Sequence, residues 1–139
     1  MQEQKVYPFL LFDGTATEAM RLYEEAFGAE VLSELHYGPG SGAEGKVMHA
    51  IFRLKGEMVM CADDLMQSGH RFSPALSLFV SCESSDEIER AVELLAQDGT
   101  VMMPLGPLKE LGQFAWVEDR FGVSWQLNVP PAEQDDENH

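Results

Sequence analysis

Asp119-Arg120-Phe121-Gly122-Val123-Ser124-Trp125-Gln126 decides how the rest of the chain is read. Arg120-Phe121-Gly122 supplies a bend, with Gly122 free to take positive φ. Val123, Trp125 and Leu127 then alternate with Ser124, Gln126 and Asn128. That period of two describes a strand, apolar on one side and polar on the other. Pro130-Pro131 stops it, because proline cannot donate to a ladder. A polar face of Ser, Gln and Asn, rather than Lys and Glu, suits either a small-molecule cavity or a solvated sheet surface.

Upstream, the chain reads as one unit written twice. Val6–Phe12 is an apolar strand, and Asp13-Gly14 a turn. Thr15-Ala16-Thr17-Glu18 matches the S/T-x-x-E capping box. Ala19, Met20, Tyr23, Ala26 and Phe27 form the apolar stripe of a helix that ends at Gly28. Strands follow at Glu30–Tyr37, Lys46–Leu54 and Glu57–Asp63, with a glycine-rich loop at Gly38–Gly45 and a turn at Lys55-Gly56. The pattern then recurs. Ala75–Cys82 is a strand, Ser84-Ser85-Asp86-Glu87 a second capping box, and Ile88, Ala91, Val92 and Leu95 a second stripe. Gly99 takes the place of Gly28. A short strand at Thr100–Pro104, a loop at Pro104–Gly112 and a strand at Gln113–Glu118 lead into the opening stretch. Each half is β-α-β-β-β, with a period of roughly 65 to 70 residues.

The expected class is therefore α+β: two βαβββ modules whose curved, mixed or antiparallel sheets form a concave cavity. The modules span residues 1–66 and 75–130, joined by a connector at 67–74. Residues 131–139 make an acidic, disordered tail.

With 139 residues and a hydrophobic fraction of 45%, the chain can build one such domain. A formal net charge of -15 opposes contact with nucleic acid, whose phosphates call for Lys and Arg. No run of about 18 apolar residues suggests a membrane span. The first residues lack the basic-then-apolar pattern of a signal peptide. Cys61 and Cys82 have neither metal nor redox spacing. Reduced thiols and a cytoplasmic location are expected.

The order of these pieces resembles the vicinal-oxygen-chelate superfamily, which includes glyoxalase I, extradiol dioxygenases and the bleomycin- and fosfomycin-resistance proteins. The resemblance is to its PhnB-like branch. It is carried by Pro8-Phe9-Leu10-Leu11-Phe12, Ala19–Tyr23, Phe27-Gly28-Ala29-Glu30, Met48-His49-Ala50, Met60–Asp63 and Asp119–Trp125. Members typically hold a divalent metal with one residue from each of four strands. The resemblance carries those positions to Tyr7, Cys61, Ala75 and Gln126, of which only Gln126 offers a suitable oxygen. No metal ligand set and no cofactor are expected. Some relatives carry a ubiquinone-pathway methyltransferase label, but the Gly38–Gly45 cluster precedes no helix, so an adenosyl-donor grip is not expected.

Two functional readings follow. The first is a homodimer binding a small organic ligand without metal, through Tyr7, Phe9, Cys61, Ser77, Phe79, Ser124 and Gln126. The second is an enzyme in which His49 and Asp63 transfer a proton, with an atypical divalent ion at Gln126 as a variant. Alternation leaves the register of His49 and Trp116 open.

Overall fold

The computed structural model describes residues 4–66 and 68–131; the predicted acidic tail falls almost wholly outside them. The chain divides into two compact units, Met1–His70 and Arg71–His139. The first contains β1 (Phe9–Phe12), α1 (Ala16–Phe27), β2 (Glu30–His36), β3 (Val47–Leu54) and β4 (Glu57–Asp63). The second contains β5 (Ser77–Ser81), α2 (Ser85–Ala96), β6 (Thr100–Leu108), β7 (Gly112–Glu118) and β8 (Ser124–Val129), with a 3-10 turn at Lys109–Leu111. Sheet orders are β1-β4-β3-β2 and β5-β8-β7-β6. In both, the outer first strand runs parallel to the last, and the remaining pairs are antiparallel. The fold is α+β, two βαβββ modules.

Each helix buries one stripe on one face of its own sheet. In the first unit Ala19, Met20, Tyr23 and Ala26 are buried along with Leu10, Ala50 and Phe52, and the Tyr23 and Phe52 rings lie 5.9 Å apart. In the second, Ile88, Ala91 and Leu95 are buried along with Ala115, Val117, Trp125 and Leu127. Trp125 and Leu127 lose essentially all their exposure. Each such side chain contributes about 1.5–3 kcal/mol of transfer free energy.

The opening stretch owes its shape to Asp119. Its Oδ1 accepts from the amides of Phe121 (2.9 Å) and Val123 (3.1 Å), and its Oδ2 accepts from the Trp125 indole at 2.9 Å. One buried carboxylate thus closes the turn and orients the central side chain of the core. Gly122 takes φ 96, as a turn of this shape requires.

Several local expectations are corrected. Thr15 does not cap α1: its backbone, at φ -120 and ψ 20, lacks the extended geometry of a capping residue, and its side chain makes no cap bond. Asp63 takes over that role from the end of β4. Ser84 does cap α2, accepting from Glu87 N at 3.1 Å, while the Glu87 carboxylate accepts from the amide of Glu83. The left-handed position after α2 belongs to Asp98 (φ 57) rather than to Gly99. Gly99 is required for space, since a Cβ there would collide with the carbonyl oxygen of Glu118. Finally, β6 continues through Pro104 and Pro107 to Leu108 where a loop was expected. It is an edge strand with two register breaks, the setting in which proline is tolerated.

Candidate functional site

Strand pairing arranges the sheet faces away from the helices as grids. In the second unit, Phe79 on β5 stands beside Gln126 on β8, which stands beside Trp116 on β7. The neighbouring row is Ser77, Ser124, Glu118 and Thr100. The next is Ser81, Asn128 and Phe114. The predicted residues Ser77, Phe79, Ser124 and Gln126 therefore share one face.

Side-chain bonds hold this face in place. Ser77 Oγ and Ser124 Oγ lie 2.6 Å apart, and the Trp116 indole donates to Ser124 Oγ at 2.9 Å. Ser81 donates to Asn128 Oδ1 (2.8 Å), whose Nδ2 donates to the carbonyl of Leu111 (2.8 Å). The Phe79 and Phe114 rings have centroids 6.3 Å apart. Ser124 is 1% exposed and Asn128 5%, so the polar face of β8 is no solvated surface. By contrast Phe79 is 49% exposed. The Gln126 carboxamide and the Glu118 carboxylate, both part-exposed, have no side-chain partner among the described residues. The half-exposed Phe79 ring and two uncommitted polar groups can together orient a small planar molecule.

The first unit repeats this geometry with other chemistry. Phe9, Met60 and Ile51 form the row matching Phe79, Gln126 and Trp116. His49 occupies the place of Phe114, its ring 6.0 Å from that of Phe9. Register at His49 is settled by a break in the β2–β3 pairing at Met48, which leaves Val47 and Ala50 buried and His49 on the open face. Tyr7 lies just before β1 and is half-buried.

Cys61 and Asp63 differ from expectation. Cys61 pairs with Leu10 and Ala50 on the helix side and has no exposure. Burial, then the nearby Asp63 and Glu34 carboxylates, push its thiol up to about 12. It is a core side chain and not a lining one, because the parity of β4 turns Met60 to the open face instead. Asp63 shares the helix side, 7% exposed. Its oxygens accept from the amides of Ala16 (2.9 Å) and Val47 (2.8 Å). It thus faces away from His49, and the two do not form an acid/base pair within this sheet.

A second residue set was missed. Phe114, Trp116 and Glu118 alternate with Ala115 and Val117, a pattern visible in the sequence, but only pairing with β8 says which set lies under α2. Elsewhere in the first unit, a cleft of about 520 Å³ is lined by Asp13, Gly14, Ser41, Lys46 and Asp64, and contains none of the predicted residues. Its Lys46 ammonium donates to the Gly14 carbonyl, and Asp64 accepts from Ser68 and Met66.

The superfamily's usual divalent ion fits these residues poorly. Of the four positions assigned by resemblance, Cys61 is in the core and Tyr7 and Ala75 precede their strands, which leaves Gln126. Among the described residues no group of three or more His, Cys, Asp or Glu is placed to hold an ion. No described helix is long and apolar enough to cross a membrane.

Comparison with known proteins places this geometry in context. A family described as 3-demethylubiquinone-9 3-methyltransferase matches residues 4–128. A Bacillus cereus structure described as a 3-demethylubiquinone-9 3-methyltransferase, PhnB protein, is 42% identical, with 91% of this chain and 99% of that one covered and a TM-score of 0.84. Protein YjdN of Escherichia coli (strain K12) is 28% identical over 137 residues, covering 88% of this chain and 92% of that protein. The fosfomycin resistance protein FosX of Listeria monocytogenes shares the fold at 12% identity, with coverages of 96% and 98% and a TM-score of 0.69.

Proposed function

Because the chain belongs to the family described as 3-demethylubiquinone-9 3-methyltransferase, the PhnB-like branch of the vicinal-oxygen-chelate superfamily, we propose that it binds a small organic molecule, without a metal, on the open face of its second sheet. The observation that carries this reading is the unpaired Gln126 carboxamide set between Phe79 and Trp116, beside the bonded Ser77–Ser124–Trp116 chain. A carboxamide offers one acceptor and two donors, so it fixes the orientation of a planar ligand that the rings hold by area. Binding or sequestration, rather than turnover, is the role this arrangement serves best. Its polar groups are neutral except Glu118, and no base is poised against an activated nucleophile.

Methyl transfer has less support than the family's description suggests. The Gly38–Gly45 loop joins two antiparallel neighbours, β2 and β3, and does not lead from a strand into a helix. The strand–glycine turn–helix grip on an adenosyl donor is not what this loop builds. The functional unit we propose is a cytoplasmic homodimer. The exposed Val101, Met102 and Met103 on edge strand β6 support an associating surface, and two buried cysteines outside any disulfide suit a reducing compartment.

Native mass spectrometry and elemental analysis of the purified protein test the reading. A bound organic mass, lost in Phe79→Ala and Gln126→Ala proteins that still fold, is the expected result. A stoichiometric divalent ion whose removal abolishes binding would overturn it. Sedimentation at micromolar concentration reads the dimer directly.

A further inference from the structure

We infer that the second sheet's open face selects for charge, and that Glu118 makes it a site for a cationic aromatic amine. This rests on the binding reading above and narrows its ligand class. Glu118 ends β7 two residues from Trp116, and the pleat puts both side chains on the same face. It pairs in register with Ser124 on one side and Thr100 on the other. Its carboxylate is only part-exposed, and no ion pair or hydrogen bond neutralises it among the described residues. None of the neighbouring positions across β6, β7, β8 and β5 carries a cation. Trp116, two residues along β7, and the half-exposed Phe79, across Gln126, supply aromatic surface on the same side of the sheet as that charge. An ammonium group attached to a flat ring satisfies every element: the carboxylate takes the charge, the aromatic side chains take the ring, and Gln126 supplies an orienting bond. A carboxylate ligand would meet Glu118 with like charge, and the nearest cation along the chain, Arg120, is engaged over the Phe121 ring, 4.7 Å from its centroid. The net charge of -15 adds long-range attraction of the same sign, but that part is screened by salt, whereas a contact with Glu118 is screened much less.

Three probes sharing one ring test this: 1-naphthylmethylammonium, 1-naphthalenemethanol and 1-naphthoate, titrated calorimetrically at about 0.15 M and about 0.5 M salt. The ammonium is expected to bind about tenfold tighter than the alcohol at the lower salt, with most of that preference kept at the higher. Glu118→Gln should bring the two within about twofold by weakening the ammonium, whereas Glu83→Gln, away from this face, should leave the preference intact. Thr100→Lys, at an exposed position across the strand, supplies a neutralising charge without removing Glu118 and should have the same effect if the Gln variant fails to fold. Alcohol binding that Gln126→Ala weakens, with no preference for the ammonium, would overturn the charge selection and leave the binding site standing. Failure of all three probes, a preference for naphthoate, or a preference surviving Glu118→Gln and Thr100→Lys, would each overturn the inference.

Discussion

The two units share strand order, helix placement and pairing, yet they differ in the two places where side chains decide something. Their helix starts are held by different means. In α1 the first amide is bound by Asp63, which comes from the end of β4, 47 residues along the chain, and also holds Val47. In α2 the cap is local, Ser84 accepting from Glu87. Their open faces also diverge. Phe9, Met60 and Ile51 in the first unit correspond to Phe79, Gln126 and Trp116 in the second, and His49 corresponds to Phe114. The two units share backbone geometry, while the chemistry on the face away from the helix differs. Gln126 and Ser124 on β8 stand where β4 of the first unit carries Met60 and Met58.

The largest expected effect breaks the first contrast. Asp63→Ala leaves two buried amides without acceptors and should cost roughly 2–6 kcal/mol, at about 1–3 kcal/mol for each unsatisfied group. Ser84→Ala removes a single local bond and should cost about 1 kcal/mol. Urea unfolding at pH 7 measures both, and equal costs would mean the two caps are equivalent after all.

Next come the helix ends. Gly99→Ala forces a Cβ onto the Glu118 carbonyl and should destabilise by about 1–3 kcal/mol through overpacking. Gly28→Ala has open space and meets only the left-handed backbone at φ 71, a cost of about 1 kcal/mol. Thermal midpoints of the two variants should fall in that order.

A smaller effect sharpens the comparison of faces. His49→Phe gives the first unit the ring pair of the second, and at this part-exposed position stability should change by less than about 1 kcal/mol. Ligand binding at the second face should be unaffected. A loss of binding would make His49 part of the site.

The smallest effect is a pH dependence confined to the first unit. His36 meets an acceptor at each ring nitrogen, the Gly45 carbonyl at Nδ1 and Glu34 Oε2 at Nε2, both at 2.9 Å. Only an imidazolium donates to both. The Gly45 bond first, then Glu34 and the more distant Asp63 charge, raise the His36 pKa against a partial desolvation penalty. Burial opposes ionisation of Glu34, but hydrogen bonds from Arg21 and His36 outweigh it and lower its pKa. Because the folded value for His36 lies above the unfolded one, its contribution is complete below about 6.5 and fades as pH rises through the folded pKa. A histidine NMR titration should place His36 above that reference, and His36→Gln should flatten the change in unfolding midpoint between pH 6 and pH 8.

Much of this was legible in the order of residues. Alternation in Val123–Asn128 put Trp125 and Leu127 in the core and Ser124 and Gln126 opposite them, because a strand's period is two whatever it pairs with. The helical stripes and the turn at Gly122 were equally readable, since each depends on residues within a few positions. Cys61 and Asp63 were misread because a strand with apolar residues on both sides carries no parity signal. Met58, Val59, Met60 and Cys61 admit either assignment until β1 and β3 are laid beside them. Thr15 looked like a cap because the motif tests residue types and not backbone angles.

By itself, the sequence determined the doubled βαβββ plan, the stripe each helix buries and the polar side of β8, since all three rest on short-range periodicity and turn chemistry. Tertiary structure alone decided that Phe114, Trp116 and Glu118 join Gln126, that His49 stands apart from Asp63, and that a carboxylate from β4 caps α1. Those outcomes depend on cross-strand register. Register is set by pairing between segments distant in the chain, and a shift of one residue turns every side chain to the opposite face.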